Sequence, residues 1–350
     1  MLVFLFLLGL ALGAVSSSDE RPMELVRGSC PSFWFSFYGR CYKYIATKMT
    51  WADAEFHCLS QGGNLVSIHS GGEEDVVKLL IKNVELAQGP TWIGLSDIHK
   101  EGRWMWSDGC VAKFFFWNKG EPNNHRGEDC VHNNWSGRWN DRKCSSTFPS
   151  VCASRTTCPY VAKFKAACHL KLHNLHQRFS ATLTDRDGDI IMLVFLFLLG
   201  LALGAVSSSD ERPMELKRGS CPSFWFSFYG RCYKYIATKM TWADAEFHCL
   251  SQGGNLVSIH SRGEEDFVKL LIKNVDLAQG PTWIGLSDIH KEGRWMWSDG
   301  CVAKFFFWNK GEPNNHRGED CVHNNWSGRW NDRKCSSTLP SVCASRTTCP

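Results

Sequence analysis

At 350 residues with a formal net charge of only +4, the chain has length for about two domains. It has no charge excess that would point to nucleic acid or an anionic membrane surface. Its seventeen cysteines form no paired C-x-x-C ribbon and no finger spacing, which argues against zinc and for disulfides made in an oxidising compartment.

In chain order, residues 1–16 read as a secretory signal. Met1 to Val15 is an apolar run closed by Ala14, Val15 and Ser16, too short for the ~20 residues of a membrane span and without a preceding Lys or Arg. Cys30 to Ile45 holds aromatic, strand-like stretches (Phe33 to Phe35, Cys41 to Ile45) broken at Gly39, the pattern of a hairpin. Thr50 and Asp53 have capping-box spacing, with Trp51, Ala54 and Cys58 on one helical face. Ser70 and Glu73 open a second helix, with Glu73, Glu74 and Asp75 at its positive end, Lys82 near its close and an apolar stripe of Val76, Leu79 and Leu80. After Gln88-Gly89-Pro90 come short β-like runs at Trp92 to Leu95, Trp104 to Trp106, Cys130 to His132 and Ser150 to Cys152. Between them lies a polar, Gly- and Asn-rich stretch, Lys119 to Lys143, long enough to be functional. Helices followed by short strands give an α+β order.

The chain is a duplication. Met1 to Pro159 recurs as Met192 to Pro350 at an offset of 191, with five differences: Val26/Lys217, Gly71/Arg262, Val76/Phe267, Glu85/Asp276 and Phe148/Leu339. A repeat this long is a whole domain. The expected organisation is copy 1 over 17–159 (core 30–153), a connector over 160–191 unlike either copy, a second signal-like apolar segment over 192–207, and copy 2 over 208–350 (core 221–344). A secretion signal between two folded modules serves neither, so separate products of adjacent genes, or internal cleavage, are expected. A membrane span there would leave copy 2 in a reducing compartment.

Within each copy the Trp51-to-Cys58 helix, Trp92-Ile93-Gly94-Leu95, Glu121-Pro122-Asn123, Trp139-Asn140-Asp141 and the order of the cysteines together resemble the C-type lectin domain, in the short form of fish lectins and their type II antifreeze relatives. The resemblance implies a fold of two helices, small antiparallel sheets and a long calcium-binding loop region. It also implies three bridges per copy: Cys30–Cys41, Cys58–Cys152 and Cys130–Cys144, then Cys221–Cys232, Cys249–Cys343 and Cys321–Cys335. Cys110 and Cys158 are left over, free to pair with each other or to bridge two chains into an oligomer. Cys168 in the connector has no counterpart.

Calcium takes six to eight oxygen ligands, and Glu121 to Asp141 concentrates such groups. By resemblance the calcium and sugar site is Glu121, Asn123, Glu128, Asn140 and Asp141, repeated as Glu312, Asn314, Glu319, Asn331 and Asp332. Pro122 and Pro313 would follow cis bonds that aim their neighbours at one ion. An auxiliary calcium site would use Asp97, Glu101, Asn124 and Asp129, repeated as Asp288, Glu292, Asn315 and Asp320. The Glu-Pro-Asn order goes in this family with mannose, fucose and N-acetylglucosamine. The implied function is a secreted, calcium-dependent glycan-binding lectin, of the kind used in innate defence; the alternatives are an ice-binding protein or a protein-binding module on the same scaffold. No G-x-S-x-G, H-E-x-x-H or phosphate-cradling loop occurs, so an enzyme is not expected. Trp104, Trp106 and Trp117 read as core, His125 and Arg126 as a solvated loop tip, and Asn134 and Asn325 head glycosylation sequons.

Overall fold

Thr50 stops a strand and starts a helix because its hydroxyl accepts the N–H of Asp53 at 3.3 Å and donates to the Asp53 carboxylate at 2.6 Å. That reciprocal cap holds the first turn of α1 (Trp51–Ser60). The second box closes likewise: Ser70 Oγ accepts the N–H of Glu73, and Glu73 accepts the N–H of His69 at 2.6 Å. It starts α2 (Gly71–Val84). The computed structural model describes residues 25–84, 89–133, 137–155, 158, 214–276, 278–324, 328–346 and 349. Both signal-like segments, the connector with Cys168, and the sequons at Asn134 and Asn325 lie outside the described residues.

Strands β1 (Phe35–Phe37) and β2 (Arg40–Met49) form the hairpin. Its turn is Tyr38-Gly39, both with positive φ (44° and 75°), as a tight two-residue connection needs. The first strand therefore begins at Phe35, two residues later than the sequence suggests; Phe33 has φ 65° and is exposed. The other strands are β3 (Gly63–Leu65), β4 (Thr91–Ser96), β5 (Met105–Trp106), β6 (Cys130–Asn133), β7 (Trp139–Arg142) and β8 (Phe148–Ser154). They join one sheet in the order β1-β2-β8-β4-β6-β7, with β3 on β8 and β5 on β4. Every pairing is antiparallel except β4 with β8, where Trp92 faces Ser150.

Helix α2 packs through Val76, Val77, Leu80 and Ile81 onto Ile93, Leu95, Trp106, Val131, Trp139 and Val151. Leu79, read from the sequence as part of this stripe, is only half-buried, and Val77 and Ile81 take its place. On the other side α1 sets Trp51 and Cys58 against Trp34, Ile45, Leu65, Trp92 and Cys152. Burying each such side chain contributes about 1.5–3 kcal/mol. The indoles also lock elements together: Trp51 Nε1 donates to Ile93 O and Trp92 Nε1 to Met49 O, both at 2.9 Å.

Copy 2 repeats the sheet and both helices, α3 (Trp242–Ser251) and α4 (Arg262–Val275). Its differences are absorbed locally. Phe267, where copy 1 has Val76, stacks on Phe228 at 4.7 Å. Arg262, where copy 1 has Gly71, pairs with Asp266 at 3.0 Å and lies 4.4 Å from the Phe307 ring.

Disulfides join Cys30–Cys41, Cys58–Cys152 and Cys130–Cys144, and in copy 2 Cys221–Cys232, Cys249–Cys343 and Cys321–Cys335. Cys110 joins Cys158 and Cys301 joins Cys349. The interchain bridge through Cys110 or Cys158 is thereby corrected: each bonds within its own copy, because β5 and the residues after β8 bring them to a Cα–Cα distance of 5.4 Å. Among the described residues no helix is long and apolar enough to cross a membrane.

Candidate functional site

The segment between β5 and β7 carries Glu121, Asn123, Asn124, Glu128 and Asp129, with Asn140 and Asp141 on β7 itself, and two backbone features shape it. The Glu121–Pro122 and Glu312–Pro313 bonds are cis. Asp141, on β7 and fully buried, accepts the backbone N–H of Asn123 at 3.2 Å and of Asn124 at 2.7 Å. The sheet therefore holds the loop by its main chain and leaves side chains of Glu121 and Asn123 beside one another; Asn123 Nδ2 donates to Glu121 Oε2 at 2.5 Å. Burial, then the neighbouring Asp141 and Glu128 carboxylates, push the Glu121 carboxyl above its ordinary range; its equivalent Glu312 is pushed up to about 7 by the same causes. Glu128 is buried, with Arg142 Nη1 at 3.3 Å. Asn140 neighbours Asp141 in the strand, and its Oδ1 is buried without a hydrogen-bond partner.

A second acidic group lies beside the first. Asp97, at the end of β4, is buried and accepts the N–H of Gly102 at 2.7 Å through one oxygen, while Oδ1 has no partner. Burial first, with Glu101 and Asp129 nearby, raises its carboxyl to about 7. Asp129 is raised by burial and by Asp141. Asn124 connects the two groups: its Nδ2 donates to Glu101 Oε2 at 2.6 Å and its Oδ1 accepts the N–H of Glu128 at 2.7 Å. Copy 2 repeats this with Asp288, Glu292, Asn315, Glu319 and Asp320, and with Asp332 holding Asn314 and Asn315. Asp288 Oδ1, Asn331 Oδ1 and Glu312 Oε2 are likewise buried and unpartnered.

Chemically, each copy offers two adjoining sets of carboxylate and amide oxygens, with more negative charge than the surrounding hydrogen bonds offset. Such a set accepts a hard, oxygen-preferring cation. A different cluster does not. His69, Asp108 and Cys110 bring ligand atoms within 4.8 Å of one another, but the Cys110 sulfur is bonded to Cys158. Asp108 is engaged by Ser67 and stands 3.6 Å from Arg40.

Three participants were not evident from residue types. The Arg142 guanidinium against Glu128 and the Gly102 N–H under Asp97 are set by the strand and turn that carry them. The main-chain tie through Asp141 depends on β7, which the sequence reads as loop. His125 and Arg126 are exposed at the loop tip, Trp106 is in the core, and Trp104 and Trp117 pack together at 4.9 Å against it.

The family model described as the Lectin C-type domain matches residues 47–154 and 238–345. Human C-type mannose receptor 2 is 30% identical over 323 residues, which is 90% of this chain but 18% of the receptor, so the chain spans about a fifth of that relative's length. The lactose-binding lectin l-2 of Anguilla japonica is 49% identical over 140 residues, 38% of this chain and 82% of the eel lectin. Among solved structures, the cow CD23 C-type carbohydrate-recognition domain, determined in the presence of a GlcNAc2Man3 oligosaccharide, is 37% identical, covers 37% of this chain and 98% of its own, and has a TM-score of 0.34. The chain belongs to the C-type lectin domain family, and carries that domain twice.

Proposed function

We propose that each copy is a secreted, calcium-dependent lectin module, and that Glu121, Asn123, Glu128, Asn140 and Asp141 hold the ion to which a sugar binds. The observation that carries this is the set of buried oxygens without hydrogen-bond partners inside the acidic loops: Asn140 Oδ1 in copy 1, Asn331 Oδ1 and Glu312 Oε2 in copy 2, with Asp97 Oδ1 and Asp288 Oδ1 in the adjoining auxiliary sets. A buried polar atom left unpaired costs about 1–3 kcal/mol, and a bound cation removes that cost. Calcium would supply open coordination positions for two neighbouring hydroxyls of one ring. Around it, carboxylates accept the hydroxyl protons and the Asn123 amide donates to a hydroxyl oxygen. Asp97, Glu101, Asn124 and Asp129 would hold an auxiliary ion that orders the loop.

Glu121 before and Asn123 after the proline favour mannose, fucose and N-acetylglucosamine. The eel relative is named for lactose, which favours the galactose class, so the two classes are the arms of the test. Immobilised mannose and immobilised galactose are each offered the full chain in calcium and in chelator. Calcium-dependent retention on mannose supports the reading; retention on galactose alone overturns the specificity; retention on neither sugar overturns the lectin reading. A single monosaccharide site of this kind binds weakly, so two sites in one chain raise avidity on clustered glycans.

A further inference from the structure

The turn after β4, which carries Asp97 and Glu101 to the loop site, also presents His99, Lys100 and Arg103 to the first helix of the other copy, and the principal contacts between the copies occur in pairs. Lys100 Nζ bonds Asp244 at 2.5 Å, and Lys291 Nζ bonds Asp53 at 2.6 Å. The Arg103 guanidinium lies 4.9 Å from the Phe247 ring, and Arg294 lies 4.4 Å from Phe56. Asn64 Nδ2 donates to Gly300 O at 3.2 Å, and Asn255 Nδ2 donates to Gly109 O at 3.2 Å. At the centre the imidazoles of His99 and His290 meet at 4.7 Å, each also against the other copy's helix tryptophan, Trp242 or Trp51.

Two features make this a fitted surface. The backbones approach too closely for any side chain at Gly109 or Gly300: a Cβ on Gly109 would stand 2.7 Å from Asp299 Cα, and one on Gly300 2.7 Å from Asp108 Cα. Arg155, at the end of β8, reaches the Cys301–Cys349 bridge of copy 2, while Arg346 reaches the Cys110–Cys158 bridge of copy 1 and the carbonyl of Asp108. Residue i meeting residue j while j meets i is the mark of a twofold, isologous interface. An interface built from two unrelated patches of a tandem protein has no reason to repeat itself at an offset of 191.

We infer that this face is a self-recognition surface whose partner is a second copy of the same module, and that it joins the two copies without help from the connector. Modules released by cleavage, or made from separate genes, pair through it as a twofold dimer. The inference does not rest on sugar or calcium binding.

The test uses the full chain with a site-specific protease sequence placed within residues 170–180 and Cys168→Ser, so that no connector disulfide joins the halves. After cutting, mass is read by light scattering on a sizing column at about 10 µM, where a micromolar or tighter pair stays associated. The expected result is one species of the uncut mass, 39.7 kDa. Halves eluting separately, each with native near-ultraviolet circular dichroism, would overturn the inference. In the same background Asp53→Lys with Asp244→Lys weakens association by about 100-fold or more, since two close pairs become like-charged. Adding Lys100→Asp with Lys291→Asp restores it to within about tenfold. Misfolding cannot produce that rescue. Association unaffected by the Asp→Lys pair would mean that another surface holds the halves, and would also overturn the proposal.

Discussion

The buried carboxylate of Asp141 holds the main-chain N–H of Asn124 at 2.7 Å, and that of Asn123 at 3.2 Å. A strand residue thus clamps the loop that precedes it. Asp141→Asn replaces one acceptor oxygen by an NH2 group that faces a backbone N–H, so the clamp fails at one of its two points. The same change made at Asp332 should lower calcium-dependent retention on the preferred sugar by about 100-fold, while costing only about 1–3 kcal/mol of stability. Binding to the immobilised sugar in calcium and a denaturant curve in chelator check the two numbers separately.

Calcium should stabilise the fold. An ion bound only by the folded state at 100 times its dissociation constant adds about 2.7 kcal/mol. The melting temperature should therefore rise with calcium and fall back in chelator. The measurement is a thermal scan by circular dichroism across a calcium series. A flat series would exclude ion binding by these loops.

Glu74 is buried and accepts the Trp139 indole N–H and the Asn133 amide, both at 2.8 Å. Glu74→Ala leaves both donors unpaired beside Trp139 and should cost about 3–5 kcal/mol. Asp75→Ala, one residue on and 64% exposed, should change stability by less than about 0.5 kcal/mol. Urea denaturation of the two variants, each repeated at the copy 2 position, gives the comparison.

Gly94 has no room for a side chain. A Cβ there would lie 2.6 Å from Leu65 O and 2.8 Å from Ser107 Oγ, with backbone on one side. Gly94→Ala should cost about 1–3 kcal/mol through displaced backbone, whereas Gly71→Ala, which meets nothing within 4 Å, should be near neutral. Paired denaturation curves decide it.

Glu55 and Glu246 give the stability a pH dependence. Each is fully buried, and burial raises its carboxyl from 4.5 to about 7 against the opposing hydrogen bonds of Leu65, Asn64 and Ser107 or their equivalents. The folded state therefore holds these protons more tightly than the unfolded state. Their contribution is fully present below about 4.5 and is lost as pH rises through about 7, at about 3 kcal/mol per group. In chelator, denaturation midpoints should fall between pH 5 and pH 8. Glu55→Gln with Glu246→Gln should flatten that fall, and an unchanged slope would assign it to other groups.

The helices were legible because their starts are written in side chains: a hydroxyl and an acid three residues apart, followed by an apolar stripe at helical spacing, mark the caps at Thr50 and Ser70. The strand β7 was not, because Trp139-Asn140-Asp141-Arg142 buries a carboxylate at an inward position, and a buried Asp looks like loop until the N–H groups it serves are known. The three-residue β3 was equally hidden. Its Gly63 is there for contact, since a Cβ would come 2.3 Å from Ala153 O. Arg40, beside the hairpin turn, is 4% exposed and donates to the Ser67 and Ser154 carbonyls, a role that its place next to Gly39 does not announce. Glu74 sits among helix-start acids that look alike, and only the fold separates it from Asp75. The oxygen-rich character of the loop was visible from composition. What joins its two halves, the Asn124 amide between Glu101 and the Glu128 N–H, depends on a positive φ of 46° at Asn124 that no residue pattern announces.

The twofold repetition of the contacts around His99 and His290 sets how much a single mutation can do. In a dimer of identical modules, one codon change alters both ends of the face at once, so an unfavourable Lys100 substitution removes two ion pairs. In the tandem chain the same change removes one and leaves its mirror image intact. Fusion of the copies therefore halves the immediate cost of drift on this surface and lets the two modules become unlike each other while staying together.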